Sequence, residues 1–110
     1  MLPPPIPHIP TIHVGEIDAL LDAGALLVDV REQREWDQSR IPRSILRPMS
    51  TINDWYSDLP RDQTIVVSCR SGNRSARVVQ ALIEQAGFDD VHNLAGGIIA
   101  WAEAGLPVES

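Results

Sequence analysis

The chain contains no lysine. All nine of its basic side chains are arginine, set against fifteen acidic ones in 110 residues, for a formal charge of −6. Such a balance argues against general nucleic-acid binding, which needs a basic surface to displace counterions. There is a single cysteine, Cys69. One thiol forms no internal disulfide and rules out C-x-x-C redox chemistry, so a reducing cytosol fits best. Cys and His residues at metal-ligand spacings are missing, so neither a metal nor a cofactor is expected. The three histidines, His8, His13 and His92, are not placed to give that cysteine a base of the protease kind. No G-x-G-x-x-G follows the first strand, and Gly96-Gly97 near the end is not that fingerprint. No apolar run approaches the roughly 20 residues of a membrane span. The N-terminus lacks the basic start and apolar stretch of a signal peptide.

What is present is ordinary for a soluble domain, with 44% hydrophobic and 22% charged residues. The length predicts one domain with one core. Residues 1–10 carry five prolines and read as an extended lead-in, leaving residues 11–110 as the domain. Strand and helix patterns alternate from there. Ile9 to His13 reads as a short strand, and Val14 to Ala23 has apolar residues at helical spacing, stopped by Gly24. Leu26 to Val30 is a continuous apolar strand interrupted only by Asp29. Glu32 to Gln38 gives one or two helical turns. Ser44-Ile45-Leu46 allows a short strand limited by Pro42 and Pro48. Thr51 to Leu59 reads as a short helix closed by Pro60. Thr64 to Ser68 is the clearest buried strand and Ser75 to Ala86 the clearest helix. Val91 to Leu94 is a last strand and Gly97 to Ala104 a last helix. This order predicts an α/β fold, a mostly parallel sheet covered on both faces. In such sheets ligands bind beyond the carboxyl ends of the strands.

Cys69 sits at such an end. The run Cys69-Arg70-Ser71-Gly72-Asn73-Arg74-Ser75 joins the clearest strand to the clearest helix. Helix N-terminal N–H groups attract anions, and two arginines within five residues add positive charge. Both favour the thiolate, which is the nucleophile. Gly72 and Asn73 tolerate positive φ, so the backbone can curl and aim successive N–H groups inward as a nest. Arg70 or Arg74 could hold a substrate's oxyanion, and Ser75 could cap the helix. An inert buried cysteine is the alternative, but it leaves the arginines and the Gly-Asn pair unexplained. A second cluster, Arg40, Arg43 and Arg47, is either a basic mouth for a small anion or solvated surface.

Three segments resemble the single-domain rhodanese (thiosulfate:cyanide sulfurtransferase) family. They are Leu26 to Ile45 (L-L-V-D-V-R-E-Q-R-E-W-D-Q-S-R-I-P-R-S-I), Ile65 to Ser75 (I-V-V-S-C-R-S-G-N-R-S) and Val91 to Val108 (V-H-N-L-A-G-G-I-I-A-W-A-E-A-G-L-P-V). They occur in the family's order from about residue 12 to 108. The resemblance implies a three-layer α/β/α fold with a five-stranded, mostly parallel sheet. It implies that Cys69 takes the outer sulfur of thiosulfate or a related donor as a persulfide and passes it to cyanide or a thiol. The amides of Arg70, Ser71, Gly72, Asn73, Arg74 and Ser75 would cradle that sulfur, with Arg70 and Arg74 steering the donor. Asp29, Arg31 and Glu35 match structural positions, although Asp29 is also the nearest candidate for a phosphatase-type general acid. Trp101 matches a core position, and Trp36 and Trp55 read as packing or rim residues. From Cys69 to Arg74 there are four intervening residues, where cysteine phosphatases of related fold carry one more. A small phosphatase or arsenate reductase is therefore the weaker alternative. Another is a non-catalytic or sulfur-relay module serving a partner protein. Ser39-Arg40 and Arg43-Ser44 depart from the family's usual Gly-His and Gly-Ala around Ile41-Pro42, which leaves the acceptor open.

Overall fold

The computed structural model describes residues 9–110, so nearly all of the proline-rich lead-in, with His8, lies outside the described residues. Five strands form one sheet: β1 (Thr11–Ile12), β2 (Leu26–Asp29), β3 (Ile45–Leu46), β4 (Ile65–Ser68) and β5 (Val91–Leu94). Their order across the sheet is β1-β5-β4-β2-β3, and every pairing is parallel. Among the described residues α1 (Ile17–Asp22), α2 (Gln33–Gln38), α3 (Ile52–Trp55) and α4 (Asn73–Glu84) connect successive strands, and α5 (Gly97–Glu103) follows β5. Among the described residues no helix is long and apolar enough to cross a membrane.

Strand alternation sorts the core into two layers, because successive side chains point to opposite faces. On one face Val28, Ile65, Val67, Cys69 and Val91 pack with Trp55 of α3 and Val78, Val79 and Leu82 of α4. On the other, Leu27, Val66 and Leu94 pack with Ile17 of α1 and Ile98 and Trp101 of α5. Val66 and Val67 are fully buried on opposite faces. This burial drives the fold, at about 1.5–3 kcal/mol for each Val, Leu or Ile side chain. Cys69 therefore lies on the α4 face of the sheet.

Three segments depart from the sequence-level expectation. The stretch read as one helix from Thr51 to Leu59 is broken into a 3-10 turn (Met49–Thr51), α3, and a second 3-10 turn (Tyr56–Asp58). Its indole anchors it instead: Trp55 donates Nε1–H to the carbonyl of Pro48 at 2.9 Å. The first helical stretch likewise opens with a 3-10 turn, Val14–Glu16. The helix expected from Ser75 begins two residues earlier, at Asn73.

Candidate active site

The polypeptide leaves β4 at its carboxyl end and must turn sharply to enter α4. Gly72 makes the turn, with φ of +101°, a conformation that glycine adopts without Cβ strain. It also sits close to the β5–α5 connection: a Cβ on Gly72 would lie 3.3 Å from the amide nitrogen of Gly96. Behind the loop stands the N-terminus of α5. Its Ile98 and Ile99 amides donate to the carbonyls of Cys69 and Arg70 at 3.0 and 3.1 Å. These bonds satisfy both carbonyls and tie the loop to α5. Gly97, with φ of +58°, lies so near that any Cβ there would collide with both carbonyl oxygens.

The sulfur faces the inside of this turn. Cys69 is 1% exposed. Its Sγ accepts the Gly72 amide at 3.1 Å and lies 3.3 Å from the Ser75 hydroxyl. That hydroxyl also lies 2.5 Å from Oδ1 of Asn93 on β5, whose Nδ2 donates to the carbonyl of Gly72 at 3.1 Å. The amides of Arg70, Ser71, Asn73, Arg74 and Ser75 find no acceptor among the described residues. They are donors available to an anion at the helix N-terminus. The side chains of Arg70, Ser71 and Asn73 form an exposed rim.

Two ion pairs brace the site. Asp29 and Arg31 are buried together at 2% and 4% exposure. Arg31 bridges both carboxylate oxygens, its NH2 at 2.7 Å from Oδ2, and reaches the carbonyl of Ser39 at 2.7 Å. Arg74 grips Glu35 of α2 with both terminal nitrogens, at 2.7 and 2.8 Å. This fork holds the Glu35 carboxyl well below its usual range, at about 2. The hydrogen bonds from Arg74 are the largest cause; burial opposes them, and the Glu32 amide and the charges of Arg74 and Arg31 assist. The same fork raises Arg74. Fork-to-fork pairing of this kind gives geometry as well as energy.

The residues singled out in the sequence take distinct places. Cys69, Gly72 and Ser75 meet at the sulfur. Ser75 does not cap α4, as its hydroxyl is turned to Cys69 and Asn93. Asn73 does not take positive φ; Gly72 alone bends the loop, and Asn73 is the first residue of α4. Arg74 is committed to Glu35, while the Arg70 side chain makes no hydrogen bond or ion pair among the described residues. The cluster Arg40, Arg43 and Arg47 does not converge. Arg40 stacks on Trp36 with its guanidinium carbon 5.3 Å from the ring centre. Arg43 pairs with Asp22 at 3.1 Å, before the amino ends of β2 and β3 and so across the sheet from Cys69. Arg47 is exposed and donates to the carbonyl of Leu46. Asn93 is the third residue of β5, Val-His-Asn-Leu, where nothing local marks it for the site, and Gly97 was legible only as a glycine at a helix start. A groove of about 220 Å³ between α3 and α4, lined by Ile52, Tyr56, Leu82 and Ala86 among others, includes none of these residues.

Comparison with known proteins places this geometry. Residues 13–104 match the Rhodanese-like domain family. A sulfurtransferase of Allochromatium vinosum is 46% identical over 83 residues, covering 76% of this chain and 77% of that protein. A probable adenylyltransferase/sulfurtransferase MoeZ of Mycobacterium tuberculosis is 42% identical over 101 residues, which span 88% of this chain and only 26% of that protein. The crystal structure of a thiosulfate sulfurtransferase from Pseudomonas aeruginosa superposes with a TM-score of 0.83 at 31% identity, covering 93% of this chain and 20% of that one. A cysteine seated at the carboxyl edge of a five-stranded parallel sheet, in a chain matched across most of its length, makes this protein a member of the rhodanese family.

Proposed function

We propose that this chain is a sulfurtransferase that carries a sulfane sulfur on Cys69. The observation that carries the reading is the sulfur at the base of a loop whose remaining amides are free to bind an anion. The sulfurtransferase names of its relatives support the class. Thiosulfate suits the site as donor, since its sulfonate end is an anion of the size such a nest binds. The Cys69 thiolate attacks the outer sulfur, the S–S bond of thiosulfate breaks, and sulfite departs with the bonding electron pair. The new terminal sulfur of the Cys69 persulfide lies among the loop amides. Cyanide or a thiolate then attacks that sulfur, giving thiocyanate or a new persulfide and restoring the Cys69 thiolate. No oxidant or metal enters the balance. Arg70, unpaired among the described residues, stands at the exposed rim and steers the donor. Arg74 acts at one remove, by fixing α2 against α4 through Glu35.

Thiosulfate treatment should raise the intact mass by one sulfur, about 32 Da, and added cyanide should return the original mass with one equivalent of thiocyanate. Cys69→Ser protein that still makes thiocyanate would exclude the reading. A relay to a protein acceptor is the second reading, motivated by the acidic body and by the relative in which a matching segment sits within a larger adenylyltransferase/sulfurtransferase. It predicts slow turnover with cyanide and fast loss of the added sulfur to a protein thiol. Hydrolysis of an aryl phosphate would restore the phosphatase alternative.

A further inference from the structure

Four groups close a ring around the sulfur: Cys69 Sγ, the Ser75 hydroxyl, the Asn93 carboxamide and the backbone of Gly72. Ser75 is fully buried and Asn93 is 9% exposed, so each donor and acceptor must be satisfied within the ring. The carbonyl of Gly72 accepts from Asn93, which fixes the carboxamide with Nδ2 on Gly72 and Oδ1 on Ser75. A flipped amide would set two oxygens 3.1 Å apart, at the Gly72 contact. Ser75 has one hydroxyl proton and two acceptors, Oδ1 and Sγ. With a neutral thiol, S–H donates to the Ser75 oxygen and the Ser75 proton goes to Asn93. With a thiolate, the Ser75 proton is shared between Sγ and Oδ1, so the close pair of oxygens keeps a proton between them. Ser75 serves both states only while its oxygen stays beside Sγ. A serine in the first turn of a helix otherwise turns its hydroxyl back to a carbonyl three or four residues earlier.

We propose that Asn93 is a positioning residue that keeps the Ser75 hydroxyl on the Cys69 sulfur. It touches neither the sulfur nor a substrate directly; it acts through Ser75, and its second hydrogen bond, to the Gly72 carbonyl, fixes its own orientation. The carbonyl of Gly72 retains the Ala76 amide at 3.1 Å, so the loop keeps an anchor when Asn93 is replaced. The proposal rests on the sulfurtransferase reading for its role in turnover, but not for its effect on the thiol.

The test is a cycle of Asn93→Ala, Ser75→Ala and the double variant in the full chain. Two quantities are read: the rate of Cys69 alkylation by iodoacetamide at fixed neutral pH, and the steady-state kinetics of thiocyanate formation from thiosulfate and cyanide. Asn93→Ala should slow alkylation and lower kcat by about tenfold, the worth of one hydrogen bond to a charged group, with KM for thiosulfate changed less than about twofold. In the Ser75→Ala background the same replacement should have almost no further effect. Additive losses, or an effect confined to KM, would overturn the proposal. Asn93→Asp covers the case in which the alanine variant unfolds. It keeps an acceptor for Ser75 but loses the donor to Gly72 and holds the hydroxyl proton more strongly, so it too should be slower; wild-type rates in Asn93→Asp would overturn the proposal as well. If the wild type makes no thiocyanate while the alkylation cycle remains coupled, the sulfurtransferase reading fails and the positioning role stands.

Discussion

The two ends of the sheet carry the same kinds of side chains and use them differently. At the carboxyl end, Asp29–Arg31 and Glu35–Arg74 are held by several hydrogen bonds each, the first pair inside the protein and the second partly shielded. At the amino end, Asp22–Arg43 is a single contact at 3.1 Å between side chains 73% and 47% exposed. There too, Asp90 takes Thr64 and His92 on an exposed surface. An exposed pair is screened and contributes little. A shielded, multiply bonded pair fixes the position of whatever it is attached to, and here it is attached to the elements flanking the sulfur. Sequence spacing treats all these arginines alike. Burial separates them.

Four substitutions sharpen this contrast. Cys69→Ser should reduce thiocyanate formation by about a thousandfold or more, with little change in the thermal unfolding midpoint, since the hydroxyl can accept the same amide. Gly97→Ala should be the most damaging change to stability, about 3 kcal/mol from overpacking together with left-handed backbone strain. Urea unfolding measures it, and a midpoint equal to wild type would show that α5 does not abut the loop. Glu35→Gln should cost about 1–2 kcal/mol, as Arg74 loses its charged partner in a partly exposed site. The sign with pH follows from the depressed carboxyl. Its stabilisation is fully present above the unfolded value of 4.5 and is lost as pH falls toward about 2. Wild type and Glu35→Gln should therefore converge in stability over that window when unfolding is followed against pH. Asp22→Ala, at the other end, should change stability by less than about 0.5 kcal/mol and leave turnover untouched. A larger effect there would erase the distinction between the two ends.

The division between what local sequence encodes and what it does not follows the same physics. The buried strands β2 and β4, the amphipathic α4 and the cysteine at a strand's end are local patterns, and the alternation of strand and helix carried the parallel three-layer fold. Pairings across the sheet are not local. Glu35 and Arg74 are 39 residues apart, and Ser75 and Asn93 are 18 apart. Ser75 sits at a position where capping is the ordinary use of a serine, and only the neighbouring β5 reveals another. Arg40, Arg43 and Arg47 are neighbours in sequence, yet the chain passes from one end of the sheet to the other along them. The Thr51–Leu59 stretch has helical composition, but its tryptophan is tied back to Pro48, which breaks it into turns.

The grip of α5 on the carbonyls of Cys69 and Arg70 gives the site a built-in gauge. The amide protons of Ile98 and Ile99 are sheltered only while the loop is seated. Their exchange with deuterium reads how often the loop lifts, without any reagent touching the sulfur. Their protection gives the free energy of lifting that loop from α5 in the resting protein.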